Sequence, residues 1–199
     1  RIAIDTLVIN GVECEPYLTS DHRTMVEKSE EVLIGTKILQ LALGAKRAII
    51  GIECNKPDAI ERLSKLAPSY SIEIVPLKMK YPQGGEKQLI DATVGKQVPS
   101  NKLPSDIGII VQNVSTIYAI YQAIQKNRPL IDRIVTVTGK KLARTGNFRV
   151  RFGTSINDIL TYCGFDGSTQ DETYKIINGG PMMGAAMSNL AAAVLKGTS

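Results

Sequence analysis

Cysteine is scarce in this chain and badly spaced for metals. Cys14, Cys54 and Cys163 are odd in number, far apart and never in a CxxC pair. That argues against an iron–sulfur or zinc site built from this chain alone, and it fits a reduced, cytoplasmic setting. Aromatic residues make up 5% of the chain. With no recognised motif beside them, they give nucleic acid little to stack on. No run of about 18 apolar residues occurs, so no segment reads as a membrane-spanning helix. Histidine occurs once, as His22 in Asp21-His22-Arg23, where a surface or capping role suits it better than catalysis. GxGxxG is missing. So is a P-loop, because Lys87 lacks the Ser or Thr that would follow it. The first residue is Arg1, and no signal-peptide pattern follows. The chain therefore reads as part of a longer protein, cut at both ends.

What is present suits a globular domain or two. The 199 residues are 43% hydrophobic and 22% charged, an ordinary balance for a real core. The net charge of +5 comes from Lys and Arg spread along the chain. Such a spread first suggests a solvated surface, and second a basic face for anionic cofactors or an acidic redox partner.

Strand and helix signals alternate through the first two thirds. Short apolar runs at Thr6–Ile9, Ala48–Ile52 and Ile107–Val111, and the alternating Ser71–Val75, predict four strands. Asn10-Gly11 predicts a turn after the first. Helices are predicted over Arg23–Leu43 with Gly44 as C-cap, from Pro57 with proline in the first turn, over Glu86–Thr93 and over Ser115–Lys126. Strands interleaved with helices predict an α/β domain with a mostly parallel, Rossmann-like sheet covered on both faces. Ligands of such sheets bind beyond the carboxyl ends of the strands, so polar residues that follow strands directly, Asn10, Gln112 and Asn113, are candidates.

Three segments could carry chemistry. Asn10-Gly11-Val12-Glu13-Cys14-Glu15-Pro16 holds two carboxylates two residues apart. If extended they point the same way, toward ribose hydroxyls or a flavin edge, although a solvated acidic loop explains them too. Tyr81-Pro82-Gln83-Gly84-Gly85-Glu86-Lys87 puts two glycines before a helix. Their backbone could approach an anion or a planar ring, or form an ordinary strand-to-helix turn. Gln112-Asn113-Val114-Ser115-Thr116 places amides and hydroxyls at a helix start, fit for a phosphate or for capping by Asn113 or Ser115.

The rhythm changes near Asn127-Arg128-Pro129. Arg133–Val137 and Phe148–Phe152 read as a β pair. Ser155–Cys163 reads as a helix with Ser155 as N-cap and Asp158 completing a capping box, and Tyr174–Ile177 reads as a returning strand. A β-β-α-β order predicts a small α+β unit such as a β-grasp. Two domains follow, 1–128 and 129–199. The second carries no catalytic candidate, since Asp158, Asp166, Asp171 and Glu172 fall on a helix and in a polar loop. The turn Gly179-Gly180-Pro181-Met182-Met183-Gly184 reads as a flexible, adaptable contact.

In order along the chain, VINGVECEPYLTSDHR, LKMKYPQGGEKQLI, GIIVQNVSTIYAIY, PLIDRIVTVTGK and INGGPMMG resemble the C subunit of the Rnf electron-transport complex. The family is related to the NADH- and FMN-binding flavoprotein subunit of respiratory complex I. The resemblance implies a domain holding FMN on which NADH stacks, followed by a β-grasp domain of the soluble-ligand-binding (SLBB) type. It implies hydride transfer between NAD(H) and FMN, with electrons passing to 4Fe–4S clusters that the full-length protein carries beyond this chain. It implies a glycine-rich flavin loop before the first strand, missing here, so the chain alone is expected to be inactive. The implied setting is the cytoplasmic side of the cell membrane, as a peripheral subunit of an ion-translocating NAD–ferredoxin oxidoreductase. Its implied partners are the other Rnf subunits, NADH and, indirectly, ferredoxin, with no nucleic acid.

Residue by residue, Asn10 matches a flavin-contacting asparagine. Glu13 and Glu15 match the acids of NADExEP, Glu15 being the better candidate for nicotinamide or ribose. Tyr81, Gly84, Gly85 and Glu86 fall on YxxGEE, and Gln112, Asn113 and Thr116 on NNVET near the FMN phosphate. Val12, Gly85 and Gln112 depart from those motifs, replacing an acid, a glutamate and an asparagine. Two other readings remain, a cobalamin reductase-type relative and a docking module without cofactor.

Overall fold

The computed structural model describes residues 3–165 and 174–198. The chain divides into one unit of residues 1–14 and 21–129 and a second of residues 15–20 and 130–199.

The first unit is built on four parallel strands, β1 (Thr6–Gly11), β2 (Arg47–Glu53), β3 (Glu73–Leu77) and β4 (Ile109–Asn113), in the order β3-β2-β1-β4. β1 is central and almost wholly buried, which is why its sequence is an unbroken apolar run. Successive side chains alternate between faces. Leu7 and Ile9, with Ile50 and Ile52 of β2, pack against Val32, Leu33, Leu63 and Ile117. Val8 goes the other way, to Leu89, Ile90 and Ile109. The covering helices are α1 (Ser20–Glu27), α2 (Ser29–Leu43), α3 (Pro57–Leu66), α4 (Glu86–Val94) and α5 (Val114–Lys126). Short 3-10 turns at Ala67–Tyr70 and Pro104–Ile107 lead into β3 and β4.

Three predictions are corrected here. Asn10-Gly11 is not a turn, because both residues lie in β1, with Asn10 opposite Gly51 and Asn113. Gly11 serves packing instead: a Cβ there would fall 2.6 Å from Met25 Sδ and 3.1 Å from Gly51 O. The single helix predicted from Arg23 to Leu43 is two, broken at Lys28 (φ −127°, ψ 35°). The Ser29 hydroxyl turns back to donate to Met25 O at 2.6 Å, competing with the helical ladder as such hydroxyls do. Gly44 ends α2 in the left-handed region (φ 66°), as predicted. Gln112 and Asn113 are the last residues of β4 rather than the first beyond it.

The second unit pairs β5 (Asp132–Val137) with β6 (Gly146–Arg151) antiparallel and adds α6 (Ile156–Tyr162). Ser155 caps α6 by accepting the Asp158 N–H at 3.0 Å. Val135, Val137, Val150, Ile159, Cys163 and Val194 form its core. The strand predicted over Tyr174–Ile177 survives only at its end, in β7 (Ile177–Asn178), which pairs with β8 (Ala185–Ala186) around the Gly179–Gly184 turn. Asp166, Asp171 and Glu172 lie outside the described residues. Residues 15–20 belong to this unit, so it begins with a segment that the division at 128/129 assigns to the first. Thr19 N–H donates to Thr136 Oγ1 at 3.1 Å, and Asn147 Nδ2 donates to Thr19 Oγ1 at 2.9 Å.

Candidate functional site

The sheet order reverses between β1 and β4: the chain winds outward from β1 to β2 and β3, then returns to β1's other side as β4. Helices leave the two strands on opposite faces at such a point, and the crevice beyond their carboxyl ends is where open α/β sheets take ligands. The parallel register sets Asn10 beside Asn113 and Ile9 beside Gln112 there. Two segments far apart in sequence thus set the Asn10 and Asn113 amides side by side, with Gln112, one residue earlier, on the other face of β4.

Neighbouring segments close on the same point. Asn10 Nδ2 donates to Gly84 O at 2.9 Å, and its Oδ1 accepts the Val12 N–H at 3.1 Å. The Tyr81–Glu86 loop is therefore tied to the end of β1. A Cβ at Gly84 would lie 3.4 Å from Cys14 Sγ, so this loop runs against the residues after β1. Gly85 is the N-cap of α4, and Glu86 opens its first turn. Tyr81 is 38% exposed. At the other side, Asn113 caps α5 by accepting the Ser115 N–H at 2.8 Å. Thr116 sits half-buried in the first turn of α5.

The polar frame beneath these residues includes groups that the sequence did not single out. Asp21 receives Asn113 Nδ2 at 2.6 Å and Ser115 Oγ at 2.5 Å on its two carboxylate oxygens. Glu13 is not a solvated acid: its oxygens accept the N–H groups of Asp21 (2.8 Å) and His22 (3.1 Å), at the start of α1. Burial, reinforced by the charge of Asp21, holds the Glu13 carboxyl above its ordinary 4.5, while those two N–H groups and Lys56 pull the other way. Lys56 itself is buried and reaches Val12 O at 2.8 Å. His22 Nε2 shares a hydrogen bond with Asp58 Oδ1 at 2.7 Å, which holds Asp58 below its ordinary 3.8. An acid in the first turn of α1, four residues ahead of Met25 where the helical apolar pattern begins, was the available sign of Asp21. Lys56 left only the sign of a lysine immediately before a helix-opening proline.

Of the ten candidates, the structure gathers Asn10, Glu13, Gly84, Gln112, Asn113 and Thr116 at or beside the carboxyl ends of β1 and β4, with Tyr81, Gly85 and Glu86 on the loop tied to Asn10. Glu15 belongs to the second unit, where its Oε2 accepts the Met182 N–H at 3.0 Å. Among the described residues no cluster of His, Cys, Asp and Glu could hold a metal, and no helix is long and apolar enough to cross a membrane.

Residues 1–122 match the family model of the Nuo51 FMN-binding domain, and residues 134–186 match that of the SLBB domain. Among curated proteins, the chain is 45% identical over 196 residues to the C subunit of the proton-translocating ferredoxin:NAD(+) oxidoreductase complex of Clostridium ljungdahlii, covering 98% of this chain and 42% of that one. It is 42% identical to the C subunit of the ion-translocating oxidoreductase complex of Rhodobacter capsulatus, covering 98% of this chain and 38% of that one. The chain thus spans about two fifths of the length of these relatives. Two crystal structures of NAD+-reducing nickel–iron hydrogenase share the fold. The air-oxidised form superimposes with a TM-score of 0.76 at 20% identity over 98% of this chain and 38% of that chain. The H2-reduced form gives 0.67 at 21% identity over 81% and 33%.

Proposed function

The chain belongs to the Nuo51 FMN-binding domain family, with an SLBB domain after it, and from that we propose that it is the flavin-holding core of the C subunit of an ion-translocating oxidoreductase. Its homology to such C subunits over nearly its whole length supports this. The observation that carries the reading is the pairing of Asn10 with Asn113 at the carboxyl ends of β1 and β4. The Asn10 and Asn113 amides, the Ser115 and Thr116 hydroxyls and the N-terminus of a 13-residue helix make a polar set that fits FMN. The amides suit the polar edge of the ring, the hydroxyls the ribityl chain, and the helix end the phosphate.

Bound there, FMN supplies the exchange of a hydride with NAD(H) and of single electrons with iron–sulfur clusters. The chain's own residues bind and orient. Asn10 fixes the Gly84 loop against β1, so that the Tyr81–Glu86 segment forms one wall of the crevice. Asn113 holds the start of α5, and Asp21 braces Asn113 and Ser115 from below. Each asparagine keeps an amide N–H beyond the one used in these bonds, so bracing and flavin contact are compatible. Glu86, exposed in the first turn of α4, would meet the nicotinamide nucleotide. NAD(H) as electron donor, ferredoxin as distant partner, and attachment to the cytoplasmic face of a membrane complex belong to the same proposal.

The test uses the protein at its full natural length. Titration with FMN, followed by quenching of flavin fluorescence, should show saturable binding, and NADH should bleach the bound flavin. Asn10→Ala and Asn113→Ala should each weaken FMN binding by about 5- to 100-fold, the size of one or two hydrogen bonds. Absence of flavin binding in the unaltered protein would refute the reading.

A further inference from the structure

Lys56 is 6% exposed, yet its main partner is not a carboxylate. Nζ donates to Val12 O at 2.8 Å and to Glu13 O at 3.3 Å, with Glu53 Oε2 and Asn55 Oδ1 each at 3.3 Å. The shortest of these bonds goes to the backbone of the segment that follows β1. Glu53, 1% exposed at the end of β2, has its other oxygen, Oε1, buried with no hydrogen-bond partner among the described residues. The pair therefore does more than neutralise two charges.

Two successive carbonyls can face one cation only if the chain curls between them. Glu13 does so with φ 48°, a conformation disfavoured for any residue with a Cβ. The same curl accompanies the pose of its carboxylate on the N–H groups of Asp21 and His22. Asp21 in turn holds Asn113 and Ser115. A continuous set of polar contacts thus runs from the end of β2, through the residues after β1, to the end of β4.

We propose that Lys56 is a positioning residue of the flavin site. Its ammonium fixes the Val12–Glu13 turn and, through Glu13 and Asp21, the Asn113 amide. The flavin part rests on the function proposed above, whereas the turn and its helix are measurable without flavin. Arginine keeps the positive charge beside Glu53 but spreads it over a rigid planar fork, which does not reproduce a point donor beneath two carbonyls. Lys56→Arg therefore separates geometry from charge. Because Lys56→Met would strand a buried Glu53, the second variant is the double substitution Glu53→Gln/Lys56→Met.

Both variants are made in the protein at its full natural length. Readouts are amide hydrogen exchange at Asp21 and His22 without FMN, FMN affinity by fluorescence titration, and the thermal midpoint. In whichever variant stays folded, both amides should exchange about tenfold or more faster, and FMN should bind about tenfold or more weakly, as for loss of one charged hydrogen bond. A folded variant with unaltered exchange at Asp21 and His22 overturns the role of Lys56 in the turn. Faster exchange with unaltered FMN affinity overturns its role in the flavin site. If the unaltered protein takes up no FMN, it is the flavin reading that fails, and exchange still decides the turn. Unfolding of both variants would overturn the proposal in favour of a role in stability.

Discussion

Most carboxylates that cap helices sit in water, but Glu13 is largely enclosed while it accepts two N–H groups of α1. Burial raises its proton affinity, and the sign of the consequence follows from linkage. A carboxyl held above its unfolded value favours the folded state in its neutral form. That contribution is full below about pH 4.5, and it is lost as pH rises through the folded value. Glu13→Gln removes the titration. The variant's stability relative to the unaltered protein should therefore improve as pH rises above 4.5, measured as the difference in urea midpoints. A difference that is flat or moves the other way would show that burial does not govern this carboxyl. At low pH the variant should be the less stable of the two, since an amide also presents N–H groups to backbone donors.

At the level of elements, the α2–α5 pairing rests on Gly35. Glycine inside a helix is unfavourable by about 1 kcal/mol relative to alanine, yet here it lets the helices meet. A Cβ on Gly35 would fall 2.3 Å from Ile117 O and 3.0 Å from Ile117 Cγ2. The obstacle is backbone, which cannot rotate away. Gly35→Ala should therefore destabilise the protein by roughly 1–3 kcal/mol, overpacking outweighing the gain in propensity. The thermal midpoint should fall by about 2–4 °C for each kcal/mol. A variant as stable as the unaltered protein would mean that α2 and α5 are not so closely packed. The second unit has a similar close approach: a Cβ on Gly180 would fall 2.2 Å from Glu15 Oε2. The GGPMMG turn is thus shaped around Glu15, which explains why two motifs about 165 residues apart (15 and 180) belong to one unit.

For the molecule as a whole, two units with separate cores predict two responses to ligand. FMN at 100 times its dissociation constant should stabilise the unit that binds it by about 2.7 kcal/mol. The proposed contacts all lie in residues 1–14 and 21–129. In calorimetry of the protein at full natural length, FMN should therefore shift the transition of that unit to higher temperature. An antibody or proteolytic probe of the Gly179–Gly184 turn should report an unchanged second transition. An equal shift of both would mean that the units unfold as one cooperative body.

Local order was readable from the sequence because local forces set it. Short apolar runs marked β1, β2 and β4, and an alternating run marked β3. Pro57 and Gly44 marked a helix start and a helix end because a fixed φ and a missing Cβ act on the spot. The α/β class and the β-grasp-like second unit followed from the order of those elements, and the motif words pointed to the family. What the sequence could not reveal was decided by residues meeting across the fold. Asn10-Gly11 has the composition of a turn, but Met25 and Gly51 leave room there only for a strand glycine. Glu13 and Glu15, two residues apart, read as a matched pair of acids. Tertiary structure sends one to the N-terminus of α1 and the other to Met182, since φ 48° at Glu13 breaks the extended geometry that would have aligned them. For the buried Lys56 the sequence shows only its place before Pro57. Its role exists only once β1 and β2 lie side by side.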